Sequence, residues 1–172
     1  MSTSNGPFAH TSAKAAGFRM PAEWELHSCC WMAFPASKPV WGDMLPRTQA
    51  SYADVANAIA AFEPVRLLTP PAVVARARSL CGDGVEVIPW DLDDAWMRDM
   101  GPNFVKNTAG EVAASIFHFN AWGKKYTWWR KDAAVRHRIA EALAMRTFSA
   151  PIFMEGGGIN TDGEGTLLTT EQ

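Results

Sequence analysis

The chain has 172 residues, the size of one ordinary domain, and 48% of them are hydrophobic, enough to build a sizeable core and to argue against disorder over most of the length. The formal net charge of −2 implies no basic face, so nucleic acid is not an expected partner. Three cysteines without disulfide-scaffold spacing (Cys29, Cys30, Cys81), and no apolar run near the roughly 18 residues a bilayer span needs, point to a reducing cytoplasm and no membrane partner.

Residues 1–16 read as a flexible lead, since the Ser/Thr/Ala-rich start lacks the apolar core of a signal peptide. Ordered sequence is expected from Gly17 to the last residue as one domain. Met20-Pro-Ala-Glu-Trp-Glu reads as extended, and Trp31-Met-Ala-Phe-Pro35 as a short buried strand. Pro35, Pro39 and Pro46 mark a loop. A helix follows from Thr48 or Ser51 to Phe62, with Val55, Ile59 and Phe62 at helical spacing. Val65 to Leu68 is a buried strand, Ala72 to Leu80 a second helix, and Val85 to Trp90 a further strand.

An acidic turn, Asp91-Leu-Asp-Asp94, leads into Trp96-Met-Arg-Asp99-Met-Gly-Pro102. Asn103 to Lys106 and Ala113 to Phe119 read as paired strands around a turn at Asn107 to Gly110. Trp129 to Met145 is the clearest helix, with Val135, Ile139 and Leu143 on one face. Ile152 to Met154 is a strand running into Glu155-Gly-Gly-Gly158, and Asp162-Gly163 turns a hairpin into Thr166 to Thr170. Helices, strands and hairpins in this order make an α/β chain with mixed sheets. Units of 50 to 70 residues suggest radial or stacked repetition. The final Leu167-Leu-Thr-Thr-Glu-Gln172 reads as a strand in progress, which leads to the expectation of a C-terminal truncation.

Three constellations carry candidate chemistry. In Asp93-Asp94-Ala-Trp96-Met-Arg98-Asp99-Met-Gly101-Pro102, a carboxylate beside an indole suits a flat cation. The carboxylate meets a guanidinium fork through two parallel hydrogen bonds, and the ring face attracts the charge. The plainer reading is a surface turn with a local Arg98–Asp99 or Arg98–Asp94 ion pair. In Phe153-Met-Glu155-Gly-Gly-Gly158, a carboxylate at a strand end followed by glycines lets a substrate approach the backbone; a glycine-rich hairpin with a solvated Glu155 is the alternative. Phe119-Asn-Ala-Trp122-Gly-Lys-Lys-Tyr126 is a substrate wall or a packed aromatic turn. Cys29, Cys30 and His27 are too compact for a zinc site, and Cys81 at a helix C-terminus is poorly placed for a thiolate.

Taken together, and in family order, Met20-Pro-Ala-Glu-Trp-Glu, Trp31-Met-Ala-Phe-Pro, Asp94-Ala-Trp-Met-Arg-Asp-Met-Gly-Pro, Phe119-Asn-Ala-Trp-Gly, and Glu155-Gly-Gly-Gly-Ile with Asp162-Gly-Glu-Gly-Thr-Leu-Leu-Thr-Thr-Glu resemble the agmatine deiminase family, which includes peptidylarginine deiminase-type guanidine hydrolases. The resemblance implies a five-fold pseudosymmetric α/β propeller (pentein-like), of which this chain supplies the N-terminal half, about two and a half of five blades. It implies hydrolysis of agmatine to N-carbamoylputrescine and ammonia in putrescine and polyamine biosynthesis, with no metal or organic cofactor and a small cationic guanidine as partner. Asp99 resembles the guanidinium-binding carboxylate, Trp96 and Trp122 the lining of the substrate slot, and Glu155 the carboxylate that holds substrate and the catalytic His. That His and the nucleophilic Cys are expected beyond Gln172, which would leave the fragment inactive; none of Cys29, Cys30 and Cys81 stands in the matching context. Asp93, Lys124 and Asn160 depart from the pattern, where Asn, Gly and His are frequent. Peptidylarginine or arginine in place of agmatine stays open, as does a homo-oligomer of the whole protein. The reading from another class is a non-catalytic guanidine-binding or interaction module that keeps the Trp96–Asp99 slot.

Overall fold

The computed structural model describes residues 12–170, and they form three successive sheet-bearing units. Of the expected lead 1–16, residues 1–11 lie outside the described residues. Residues 12–17 form turns closed by backbone bonds such as Phe18 N–H to the Ala13 carbonyl at 2.9 Å.

The first unit is a parallel sheet ordered β2 (Cys30–Ala33), β3 (Val65–Thr69), β4 (Val85–Pro89). Cys30 aligns with Val65 and Val65 with Val85. Parallel neighbours need crossovers, supplied by α2 (Leu45–Ala60) and α3 (Val74–Leu80). Its core gathers Phe34, Ala53, Leu67 and Ala77. The loop expected across Pro35 to Pro46 instead holds a short helix, α1 (Lys38–Trp41), and α2 starts earlier than either expected residue. Pro39 and Pro46 sit in the first turns of α1 and α2, where a missing N–H has no intrahelical partner to lose. The buried face of α2 is also not the expected one. Gln49, Ala53 and Ala56 face inward, while Val55 and Phe62 are exposed. Alanines let the helix lie close on the sheet, and the Gln49 amide donates to the Pro35 carbonyl at 3.0 Å.

The second unit is a mixed sheet ordered β1 (Phe18–Arg19), β5 (Asn103–Asn107), β6 (Val112–His118), β7 (Thr147–Phe153). β5 and β6 form the expected hairpin, and β7 begins earlier than the expected Ile152. The crossover from β6 to the parallel β7 is α6 (Arg130–Ala142), whose Val135 and Ile139 are fully buried. A third unit begins with the antiparallel hairpin of β8 (Ile159–Thr161) and β9 (Leu167–Thr169), turned at Asp162-Gly163 as expected. Asp162 Oδ1 accepts N–H bonds from Glu164 and Thr166, and Gly163 takes φ +75°. One cluster joins the first two units: Ala33, Leu68, Leu92, Met100, Phe119, Val135 and Ile139. No helix of the described residues is long and apolar enough to cross a membrane.

Candidate active site

The chain leaves β4 at Pro89 and reaches α4 (Met97–Met100), a single turn ended by Gly101. Gly101 is required there, since a Cβ would stand 2.8 Å from the Met97 carbonyl oxygen. This turn presents Asp99, whose two carboxylate oxygens are held from opposite sides. Gly157 N–H donates to Oδ1 at 2.9 Å, and the Trp122 indole N–H donates to Oδ2 at 3.2 Å. A carboxylate has about four lone-pair sites, so acceptor capacity remains for a ligand.

Trp122 stands on α5 (Ala121–Lys124), a turn of left-handed backbone in which Ala121, Trp122, Gly123 and Lys124 all have positive φ. Three of these are not glycine, an uncommon conformation that costs of order 1–2 kcal/mol per residue. The Asn120 side chain holds the turn by accepting Gly123 N–H at 2.8 Å. The Trp122 ring meets Trp96 edge-on at 5.8 Å and Phe119 at 5.4 Å. Trp96 stacks on Trp41 at 5.7 Å with 26° between planes. Asp94 accepts from both indoles, Trp41 Nε1–H at 2.9 Å and Trp96 Nε1–H at 2.6 Å. Burial raises the Asp94 pKa above the ordinary carboxylate value, against the two indole bonds that lower it. A hollow of about 250 Å³ opens beside Asp99, walled by Trp31, Tyr52, Trp96 and Arg98.

Glu155 enters through the glycine loop. Arg98 donates from Nε to the Gly156 carbonyl at 3.0 Å and from Nη2 to the Ile159 carbonyl at 3.2 Å, and pairs with Glu23 at 2.6 Å. The local Arg98–Asp99 or Arg98–Asp94 pair is therefore not formed; Arg98 instead ties its turn to two distant segments, the glycine loop and the Glu23 stretch. A Cβ on Gly156 would collide with the Arg98 carbonyl oxygen, and one on Gly157 would stand 2.5 Å from Asp99 Oδ1. The glycines are thus demanded by the approach of this loop to the Asp99 turn. Glu155 is half-buried at the loop's start.

Beneath the turn lies Arg136, 1% exposed. It donates to the carbonyls of Asp99 (2.6 Å), Met100 (3.2 Å) and Phe117 (2.7 Å), and its guanidinium sits 5.5 Å from the Phe119 ring centre. Burial lowers its pKa to about 10, while the charges of Glu155 and Asp99 pull the other way. One helical turn earlier, Asp132 accepts N–H bonds from Asp93 (2.7 Å) and Asp94 (3.2 Å). Asp93 Oδ2 in return accepts Lys131 N–H at 2.9 Å, at the positive end of α6. Burial pushes Asp132 up to about 7.

The structure thus brings Asp99, Trp96 and Trp122 into direct contact and places Glu155 at the head of the loop that touches Asp99. Sequence reasoning missed Trp41, which falls within the expected loop, and Arg136 and Asp132. The last two had a signal: they fall on the same helical face as Val135 and Ile139. Cys29, Cys30 and Cys81 are free thiols, and none lines the hollow. Burial pushes the thiols of Cys30 and Cys81 up, away from thiolate. Among the described residues no three His, Cys, Asp or Glu side chains are grouped to hold a metal ion.

Residues 19–172 match the model of the Porphyromonas-type peptidyl-arginine deiminases. A Streptomyces avermitilis protein bearing the name agmatine deiminase is 43% identical over 160 residues, covering 91% of this chain and 46% of that protein. A Mycoplasma capricolum protein of the same name is 41% identical over 167 residues, covering 95% of this chain and 46% of that protein. The solved agmatine deiminase of Enterococcus faecalis superposes with a TM-score of 0.90 at 33% identity, covering 95% of this chain and 46% of its own. A C. jejuni agmatine deiminase with a Cys-to-Ser substitution and bound substrate gives 0.74 at 25% identity, covering 88% and 45%. The chain spans about half the length of the curated relatives it matches. The expected fold is borne out: the three units are about two and a half blades of a pentein-like α/β propeller.

Proposed function

The chain belongs to the Porphyromonas-type peptidyl-arginine deiminase family, and on that premise we propose that it carries the guanidinium grip of an enzyme that hydrolyses agmatine to N-carbamoylputrescine and ammonia, a step toward putrescine. The observation that carries this reading is the Asp99 carboxylate, fixed by Gly157 N–H and the Trp122 indole beside the Trp96 ring. A carboxylate locked in one orientation accepts two parallel N–H bonds from a planar guanidinium, while the aromatic walls exclude water and favour flat cations. The agmatine deiminase names of the matched relatives support agmatine over arginine or peptidylarginine.

In this reading Asp99 and Glu155 hold the guanidinium in plane and draw its positive charge toward them, which makes the central carbon a better electrophile. Trp96 lines the slot, and Trp122, which is not among the lining residues of the hollow, steadies Asp99 through its indole N–H. A cysteine thiolate attacks that carbon, a His protonates the departing ammonia, and water then cleaves the amidino-thioether to release the ureido product. The substituted cysteine of the substrate-bound C. jejuni enzyme supports a thiolate step. No cysteine of this chain lines the hollow, so none is assigned the thiolate; in this reading thiolate and His belong to the part of a full-length relative that the chain does not cover. The chemistry requires no metal or organic cofactor, and the cysteine usage suits the cytoplasm.

The absence of a cysteine from the hollow also favours a second reading, a guanidine-binding module without catalysis. Calorimetry with agmatine, beside an ammonia-release assay on residues 1–172 and on the whole reading frame, separates the two. The first reading expects saturable binding that is lost in Asp99→Asn, and ammonia from the whole frame alone. Turnover by residues 1–172 would overturn the division of labour. Binding that survives both Asp99→Asn and Glu155→Gln would overturn the site.

A further inference from the structure

Asp94 is 7% exposed and touches two indoles that are far apart in sequence. Trp41 closes α1 in the first unit, and Trp96 opens the Asp99 turn. One oxygen serves each ring: Oδ1 accepts from Trp41 and Oδ2 from Trp96. A carboxylate is planar and its two oxygens are equivalent acceptors, so the pair of bonds sets both ring planes at once. The rings are accordingly stacked, at 26° and 5.7 Å. Trp96 then meets Trp122 edge-on, and Trp122 donates to Asp99. A continuous series of contacts thus runs from Trp41 through Asp94, Trp96 and Trp122 to the Asp99 carboxylate. Trp41 is not among the residues that line the hollow, whereas Trp96 is.

We propose that Asp94 is a positioning residue for the guanidine slot, acting as a double acceptor that sets the plane of Trp96 by tying it to Trp41. The inference rests on the proposed guanidinium grip and deepens it by naming what tunes the slot for flat cations. Ring orientation matters to a planar guanidinium, which lies along a ring face, and much less to a compact ammonium with three rotatable donors. Asp94 therefore governs selectivity for guanidines over amines of similar length. An amide at this position offers one acceptor and one NH2 donor. Asp94→Asn keeps the shape, but its NH2 group faces an indole N–H, so one of the two bonds is lost. Trp41→Phe keeps an aromatic ring and removes one N–H without altering any residue that lines the hollow.

The test uses residues 1–172, with agmatine and cadaverine as probes in calorimetry, and near-ultraviolet circular dichroism to read the coupled Trp41–Trp96 pair. Far-ultraviolet spectra and thermal melts verify that each variant is folded. The expected result is about a tenfold fall in agmatine affinity for Asp94→Asn and a smaller fall for Trp41→Phe, with cadaverine changed less than twofold and the near-ultraviolet bands weakened in both. An unchanged agmatine-to-cadaverine ratio in both folded variants overturns the inference. If the unsubstituted chain binds no agmatine, the guanidinium grip fails by itself, and the near-ultraviolet bands still decide the clamp. Bands lost in Asp94→Asn support it, and bands unchanged overturn it.

Discussion

The Trp122 indole N–H reaches the Asp99 carboxylate at 3.2 Å from a backbone that bends in the left-handed sense. Ala121, Trp122 and Lys124 have φ of 55°, 54° and 66°. Unfavourable backbone is here coupled to placing one ring N–H against one carboxylate, and Asn120 helps to hold it. Strain persists where surrounding contacts over-determine it, as they do at this turn.

Lys124 occupies one of these strained positions, is exposed, and stands where the family resemblance led us to expect glycine. Lys124→Gly removes the Cβ penalty and should stabilise the chain by about 1 kcal/mol. In a chain of this length that corresponds to a rise in Tm of about 2–4 °C. A calorimetric melt checks it. A lower Tm would show that the lysine side chain contributes more than its backbone costs.

Two adjacent glycines should separate stability from binding. A Cβ on Gly156 meets the Arg98 backbone carbonyl, which cannot yield without moving α4. Gly156→Ala should therefore cost about 1–3 kcal/mol in urea unfolding. A Cβ on the exposed Gly157 meets the Asp99 side chain at 2.5 Å. Gly157→Ala should leave the urea midpoint nearly unchanged and weaken agmatine binding about tenfold by turning the carboxylate.

Arg136 holds three backbone carbonyls from a position 1% exposed. Arg136→Met leaves those three buried acceptors unsatisfied, with an expected loss of about 3–5 kcal/mol. Arg136→Lys keeps the charge and loses the planar fork, so it should cost less. Chemical denaturation ranks the two. Equal losses would mean that the fork geometry alone matters.

Asp132 gives the stability curve a sign. Burial raises its folded pKa to about 7 from the ordinary 3.8, despite two backbone N–H bonds that favour the ionised form. The folded state binds more protons than the unfolded state between those values. Its contribution is fully present below about pH 4 and is lost as pH rises through about 7. In Asp132→Asn the pH 5-to-8 decline in Tm should be smaller than in the parent. Parallel Tm curves would exclude Asp132 as the titrating group.

The helical face of α6 was readable from Val135 and Ile139, because a 3.6-residue period marks burial on a helix packed against a sheet. The face of α2 was not. Val55 and Phe62 are the larger apolar groups, yet Ala53 and Ala56 point inward, since close helix-to-sheet packing selects for small volume as well as hydrophobicity. Pro39 and Pro46 read as loop because proline disrupts helix interiors, although it is well suited to the first turn that both occupy. In the site, Asp99, Trp96, Trp122 and Glu155 stood out through their local motifs. Trp41, Arg136 and the role of Asp94 did not, because the bonds that reveal them, Trp41 to Asp94 and Arg136 to the carbonyls of Asp99 and Phe117, span 19 to 53 residues.

The sequence by itself determined the family, the alternation of strands and helices, and the motifs from which the candidate site is built. Hydrophobic period, glycine spacing and ordered motifs are local properties, and local properties survive in one dimension. Only the folded chain decided that Arg98 would staple the glycine loop, that Arg136 would hold the backbone of the Asp99 turn, and that Asp94 would tie two indoles together. Each of these depends on burial and on contacts between segments remote in sequence. Burial sets the cost of an unpaired charge or donor, so it also selects which long-range partners must meet.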